Sequence, residues 1–266
     1  MKCINPQKIY NKSLGRSIWT ACGRCSNCLE NRREQWLFRL DNELKFCSFG
    51  VHCTLQYDDD HLGDNILDRK HIQNLFKLLR KKGLIFKYYG IGEYGTKDHR
   101  KHFHVAFFVQ SPMSKFDFKS LVDSCWKFGF VYYTRLCHNN LAYVLHYHVR
   151  PKIVDNKPTF QFFSKGLGSV FIEDDLWKKF FLTSRSIMVR NSKGKPIPFP
   201  RYYRKKLGLE GFDMFDNVKT IYDVISDYFH KPIEEIPRSV IEKYLISLFE
   251  HDQKKIQKYN LQKKGV

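Results

Sequence analysis

His102 and His104 flank Phe103, and Glu93 stands nine residues before His102. Successive strand residues point to opposite faces, so in a strand the two histidines share a face and Phe103 takes the other. Two imidazoles side by side, with a carboxylate from a neighbouring strand, form a three-ligand site for a divalent cation that keeps positions open for a substrate oxygen. Downstream, NNLAYVLHYHVRP sets Tyr143 and Tyr147 four residues apart. On a helix that spacing puts them on one face, with His146 beside them and Arg150 continuing the stripe. Each pattern alone has a plainer reading as packing. Together they offer a metal and a nucleophile.

A third constellation lies near the start, in CGRCSNC. Cys22, Cys25 and Cys28 have C-x-x-C-x-x-C spacing, and Cys3 could close a four-thiolate shell. Tetrahedral Zn2+ on these thiolates would staple a segment that is short of aliphatic residues and has no core of its own; three unligated cysteines are the alternative. No secretory signal opens the chain, so its eight cysteines are read as reduced thiols or ligands rather than as a disulfide framework.

The 266 residues carry 46 Lys and Arg against 27 Asp and Glu, a formal charge of +19. That excess favours a polyanionic partner. No apolar run approaches the ~20 residues of a membrane span, which leaves nucleic acid, met in a cytoplasm, as the expected partner, and no membrane. A phosphodiester suits both constellations. A cation at Glu93, His102 and His104 would draw charge from the scissile phosphate, and a tyrosine oxygen could attack in line and stay joined to phosphorus. A tyrosine hydroxyl ordinarily titrates near ~10, so the attack needs proton removal or cationic help, and His146, Arg150 and Lys152 stand close in sequence. Mixed imidazole and carboxylate ligands suit Mg2+ or Mn2+, with Zn2+ also compatible by ligand type. The glycine pattern of a nucleotide-binding P-loop is missing, which argues against an ATP-driven helicase.

These residues need elements to position them. Hydrophobic content of 42% and aromatic content of 16% indicate a folded chain. A basic-faced helix is expected over 27–45, with Trp36, Leu40 and Leu44 along one side and Arg32, Arg33 and Arg39 available to phosphate. FGVHCTLQY, 49–57, reads as the first core strand, closed by a solvated acidic turn at Asp58, Asp59 and Asp60. An amphipathic helix follows over 68–82, with Ile72, Leu75, Phe76 and Leu79 on its inner stripe, Asp68 as N-cap and Gly83 as stop. Strands at 85–93 and 101–110, a helix at 114–127, a strand at 128–135 and the tyrosine helix at 139–150, ended by Pro151, complete the core. The order β-α-β-β-α-β is that of an α+β fold, a ferredoxin-like or RRM-like antiparallel sheet with helices on one face, on whose exposed face Glu93 and the histidines can converge.

Three domains are expected: a Cys-rich segment (1–30), this core (31–152) and a mixed, then helical, C-terminal extension with a basic tail (153–266). Within the extension, 153–170 look like a loop and a short hairpin, and two helices over 218–262 break near Pro232 and Pro237. PRYYRKKL, 200–207, offers Arg201, Tyr202, Tyr203, Arg204, Lys205 and Lys206 for base stacking and phosphate contacts, or equally a packed tyrosine pair beside a solvated basic edge.

CGRCSNC, CTLQY on the first strand, GEYG, His-Phe-His at 102–104 and YVLHY at 143–147, with SRSIMVR and PRYYRKKL beyond, resemble the HUH endonucleases. The likeness is to the rolling-circle replication initiators of gokushovirus-type microviruses, small single-stranded DNA phages, and covers roughly residues 20–207. It implies a metal-dependent nick in single-stranded DNA at the viral origin, a 5′-phosphotyrosine link and a free 3′-hydroxyl that primes synthesis. It also implies two tyrosines alternating between cleavage and rejoining, inside the infected bacterial host and alongside host replication machinery. One position departs from the family, which usually has a lysine three residues after the second tyrosine. Arg150 stands there, a stronger and more rigid phosphate binder but a poor proton donor, and Lys152 is the other candidate. Two alternatives stay open: an RRM-like single-strand binder without catalysis, and an HUH transposase or plasmid relaxase.

Overall fold

A computed structural model of the chain describes residues 3–12, 15–95, 98–149, 153–154, 157–184, 188–209, 225–226 and 228–261. It falls into two compact units, one of residues 36–178 and one of residues 1–35 with 179–266. The elements up to the tyrosine helix are β1 (Gln7–Asn11), β2 (Arg16–Thr20), α1 (Ser26–Phe46), β3 (Phe49–Gln56), α2 (Arg69–Lys81), β4 (Phe86–Tyr94), β5 (Lys101–Val109), α3 (Lys115–Cys125), β6 (Val131–Arg135) and α4 (His138–Val149). After it come β7 (Ile153–Val154), β8 (Lys157–Pro158), β9 (Phe160–Phe163), α5 (Val170–Glu173), α6 (Asp175–Ser184), β10 (Met188–Arg190), β11 (Pro196–Pro198), α7 (Arg201–Lys206) and α8 (Arg238–Leu261).

The unit of residues 36–178 is built on a five-stranded antiparallel sheet in the order β6-β3-β5-β4-β9. The expected strands and helices form within a few residues of their sequence bounds. Asp68 caps α2 by accepting from the Lys70 amide at 2.8 Å, and Gly83, at φ +85°, turns the chain away after it. Ile72, Leu75, Phe76 and Leu79 are all buried, each stabilising the fold by about 1.5–3 kcal/mol through transfer from water. They meet Phe118 and Val122 of α3 and the strand residues Cys53, Leu55, Phe103, Val105 and Phe107 in one apolar layer. β9 is the addition: it pairs with β4 at the edge where the sequence suggests only a loop and a short hairpin. Four residues are too few for alternation to stand out. The short hairpin is β7 with β8.

The β-α-β-β-α-β order puts helices on one face only, and here the structure differs. α2 and α3 take that face, while the second half of α1 and α4 cover part of the other, where Leu37, Leu40, Leu141, Val144 and Leu145 pack on Tyr89, Ile91, Ala106 and Phe108. The reason is chemical. On β5 this face reads His102, His104, Ala106, Phe108, so its second half is apolar and has to be shielded from water. The polar half carries the candidate ligands. Two glycines in GIGE serve the opposite layer: a Cβ on Gly90 would strike the Phe162 ring, and one on Gly92 would lie 3.0 Å from the Phe103 ring. Between and beyond them, Ile91 and Glu93 project to the ligand face.

In the other unit, β1 and β2 form a hairpin whose strands are mostly exposed. β10 and β11 form a second, and Asn191 beside it donates to the Glu34 carboxylate at 2.7 Å. Phe181 stacks on Phe199 at 4.2 Å between centroids, and Tyr203 joins them. The break expected near Pro232 and Pro237 is a short 3-10 turn, Ile233–Glu235, followed by α8. The start of the first of the two C-terminal helices, from 218, lies outside the described residues.

Candidate metal centre and its tyrosine

Register builds the site. β4 and β5 pair Glu93 with His102, and β3 and β5 pair Thr54 with His104, so all four side chains rise from the same face. The Nε2 atoms of His102 and His104 are 3.1 Å apart, and Glu93 Oε1 lies 3.3 and 3.2 Å from them respectively. His102 Nδ1 donates to the Arg100 carbonyl at 3.1 Å, and His104 Nδ1 is bonded to Thr54 Oγ1 at 3.1 Å. Because a carbonyl only accepts, the neutral His102 ring keeps its lone pair on Nε2, aimed at the other two groups. Three electron-rich atoms this close need a shared proton or a cation between them. Ligands about 2.1 Å from one ion stand about 3.0–3.4 Å apart in octahedral cis or tetrahedral arrangements, and the measured separations fall in that interval. The group fits a divalent cation.

The electrostatics agree. Burial alone would raise the Glu93 carboxyl, but hydrogen bonds from His102 and His104 outweigh it and hold the group at about 2, a standing carboxylate. Behind His104, the His52 imidazole is buried, its Nδ1 bonded to Thr134 Oγ1 at 3.2 Å. Burial, with a smaller contribution from His104, pushes His52 down to about 3, so it stands neutral. Its Nε2 has no partner among the described residues. Arg100 is itself fixed, through Tyr57 O at 2.9 Å and Asp59, which ties the exposed acidic turn to the entrance of β5.

Tyr143 sits at the border of this group. It is 43% exposed, and its ring stands edge-on to the His104 ring, centroids 6.4 Å apart. Tyr147 lies one turn further along α4; its side chain, and that of His146, lie outside the described residues, as do Arg150 and Lys152. Sequence reasoning missed Thr54, His52 and the exposed Tyr132 of β6. The only signal for the first two is their alternation in VHCT, which acquires meaning once β3 is known to pair with β5.

The basic candidates separate. Arg32 is exposed, and Arg33 pairs with Glu30 at 3.1 Å. Arg39 is buried and donates to the Leu167 carbonyl at 3.2 and 2.7 Å, so the expectation that it meets phosphate is corrected. In PRYYRKKL, Tyr203 is fully buried against Phe199 and cannot stack on a base; Arg201, Lys205 and Lys206 are exposed, while Tyr202 and Arg204 are half-buried. Cys3, Cys22, Cys25 and Cys28 form a second group that could hold a metal, their sulfurs all within 4.8 Å of one another. Hydrogen bonds from Cys28 and Cys3 hold the Cys25 thiol far below its ordinary range and, in the same exchange, push Cys28 up.

Residues 50–152 match the family model described as replication-associated protein ORF2, a span from β3 past α4 that holds Glu93, both histidines and both tyrosines. The chain belongs to the replication-associated protein family of microviruses. Similar proteins include replication-associated protein ORF4 of Chlamydia phage 1, 29% identical over 70% of this chain and 53% of its own length. ORF2 of Spiroplasma virus 4 is 26% identical, over 81% of this chain and 83% of that protein. VP4 of Bdellovibrio phage phiMH2K is 24% identical, over 77% and 76%. This replication-associated protein thus spans about half the length of the Chlamydia phage relative and most of the other two. No solved structure matches it significantly. Among its described residues, no helix is long and apolar enough to cross a membrane.

Proposed function

We propose that this protein nicks and rejoins single-stranded DNA at a phage origin, through a 5′-phosphotyrosine intermediate, to start rolling-circle replication. The observation that carries the reading is the edge-on placement of Tyr143 against His104, beside the Glu93, His102 and His104 group. Glu93, His102 and His104 would hold Mg2+ or Mn2+, which when bound neutralises charge on the scissile phosphate. The tyrosine oxygen, from Tyr143 or Tyr147, loses its proton and attacks phosphorus in line. The bond from phosphorus to the 3′-oxygen breaks, that oxygen takes up a proton, and the DNA leaves a free 3′-hydroxyl while its 5′-phosphate stays on the tyrosine.

Rejoining is the reverse displacement by a 3′-hydroxyl, and the second tyrosine serves the next cleavage. Arg150 is assigned to the phosphate and Lys152 to proton delivery. Arg32, Arg201, Lys205 and Lys206 are assigned to the DNA backbone, in line with the +19 charge. The setting is the cytoplasm of an infected bacterium, where host polymerase would extend the 3′ end.

The test uses labelled single-stranded DNA from the same genome with Mn2+. The wild-type chain should give a covalent protein–DNA band, and Tyr143→Phe with Tyr147→Phe should abolish it while binding persists. EDTA or His102→Ala should abolish it too. A band that survives the double variant removes the tyrosines from the chemistry; one undiminished in EDTA removes the metal.

A further inference from the structure

We infer that Cys3, Cys22, Cys25 and Cys28 hold a structural Zn2+ ion in a four-thiolate shell, distinct in its ligands and its chemistry from the Glu93, His102 and His104 group. The four sulfurs come from three places along the chain: Cys3 just before β1, Cys22 just after β2, and Cys25 and Cys28 at the start of α1. They converge nevertheless, all within 4.8 Å, with Cys22 Sγ and Cys28 Sγ 3.9 Å apart. Thiolates about 2.3 Å from a tetrahedral zinc stand about 3.8 Å apart. All four cysteines are free thiols, so no disulfide accounts for the approach.

The backbone is shaped around the sulfurs as well. Gly23 takes φ +72°, a left-handed conformation that a residue with a Cβ adopts with strain. That turn brings the amides of Arg24 and Cys25 to 3.4 Å from Cys22 Sγ, where both donate to it. The Cys22 amide donates to Cys3 Sγ at 3.2 Å. Amide donors aimed at sulfur stabilise the thiolate form that a metal needs, and they fix the ligand in place.

An energetic argument leads to the same place. The hairpin of β1 and β2 has nine of its ten residues exposed or half-buried, with Ile18 the buried one, so apolar burial does little to hold it. A metal that ties the entrance of the hairpin, its exit and the first turn of α1 supplies the folding energy instead. Soft thiolates select zinc over Mg2+ and Mn2+, whereas the mixed imidazole and carboxylate group accepts those harder ions. One chain therefore carries two metals of different kinds, one for order and one for the proposed chemistry.

The test is metal content of the full chain, purified under reducing conditions without chelator. One zinc per chain is expected, released when an organomercurial blocks the thiols, retained in His102→Ala, and lost in Cys22→Ser and Cys28→Ser. Since those cysteine variants could fail to fold, Co2+ exchanged into the wild-type chain provides a second measurement, with thiolate-to-cobalt charge transfer and tetrahedral visible bands expected. Zinc-free chain, zinc that leaves with His102→Ala but resists thiol blocking, iron in place of zinc, or cobalt without charge-transfer bands would each overturn the assignment. None of these outcomes depends on DNA cleavage, so this inference and the proposed function stand or fall separately.

Discussion

The His52 imidazole stacks on that of His104, ring centroids 5.3 Å apart and planes within 12°. With Thr54 bonded to His104 Nδ1, this neighbour fixes the ring that presents Nε2 to Glu93 and His102. Groups behind a metal ligand typically change affinity 10–100-fold when removed, roughly the range expected here. Thr54→Val should lower Mn2+ affinity by about that much, and His52→Ala by a similar factor, as read by calorimetric titration. Unchanged affinity in both variants would mean that neither residue supports the ring.

Tyr132 is placed to meet a base. It is 58% exposed, and it pairs with the same Thr54 that pairs on its other side with His104. Tyr132 and His104 thus share a face two strands apart, about 10 Å at the usual strand spacing. That is the reach of a nucleotide next to a phosphate held at the metal group. Tyr132→Ala should weaken single-stranded DNA binding by about 1–3 kcal/mol, the worth of one stacked base, while Tyr132→Phe should keep it. Fluorescence anisotropy with a short labelled strand decides this; equal affinities in all three chains would remove Tyr132 from the interface.

Gly90 tests the packing beneath the site. A Cβ there would collide with the Phe162 ring and approach the His104 carbonyl oxygen to 2.9 Å. Gly90→Ala should destabilise the fold by about 1–3 kcal/mol through overpacking, seen as a lower urea midpoint. A midpoint equal to wild type would show that β9 yields freely.

Much of the core was legible because local rules determine it. Asp68 and Gly83 bound a helix whose stripe repeats at three and four residues, and Phe103 alternates with two histidines in a way only a strand explains. What was illegible depended on long-range register. His104 meets Thr54 across fifty residues of sequence, and no local pattern reveals that pairing. Arg39 and Tyr203 show the same limit. Their composition suited a nucleic-acid surface, but the Leu167 carbonyl and the Phe199 ring, neither of them a local neighbour on a helix, turned them inward. The helices of α1 and α4 over the ligand face were likewise hidden until Ala106 and Phe108 were seen to continue the face that His102 and His104 begin.

The central claim is that a tyrosine of α4 attacks phosphorus beside Glu93, His102 and His104. The most direct measurement isolates the covalent complex formed with single-stranded DNA and Mn2+, digests protein and DNA, and sequences the nucleotide-bearing peptide by mass spectrometry. The account predicts a phosphate-linked nucleotide on Tyr143 or Tyr147, and on no other residue. A nucleotide carried by a residue outside α4, or cleaved DNA with no peptide attached, would contradict it.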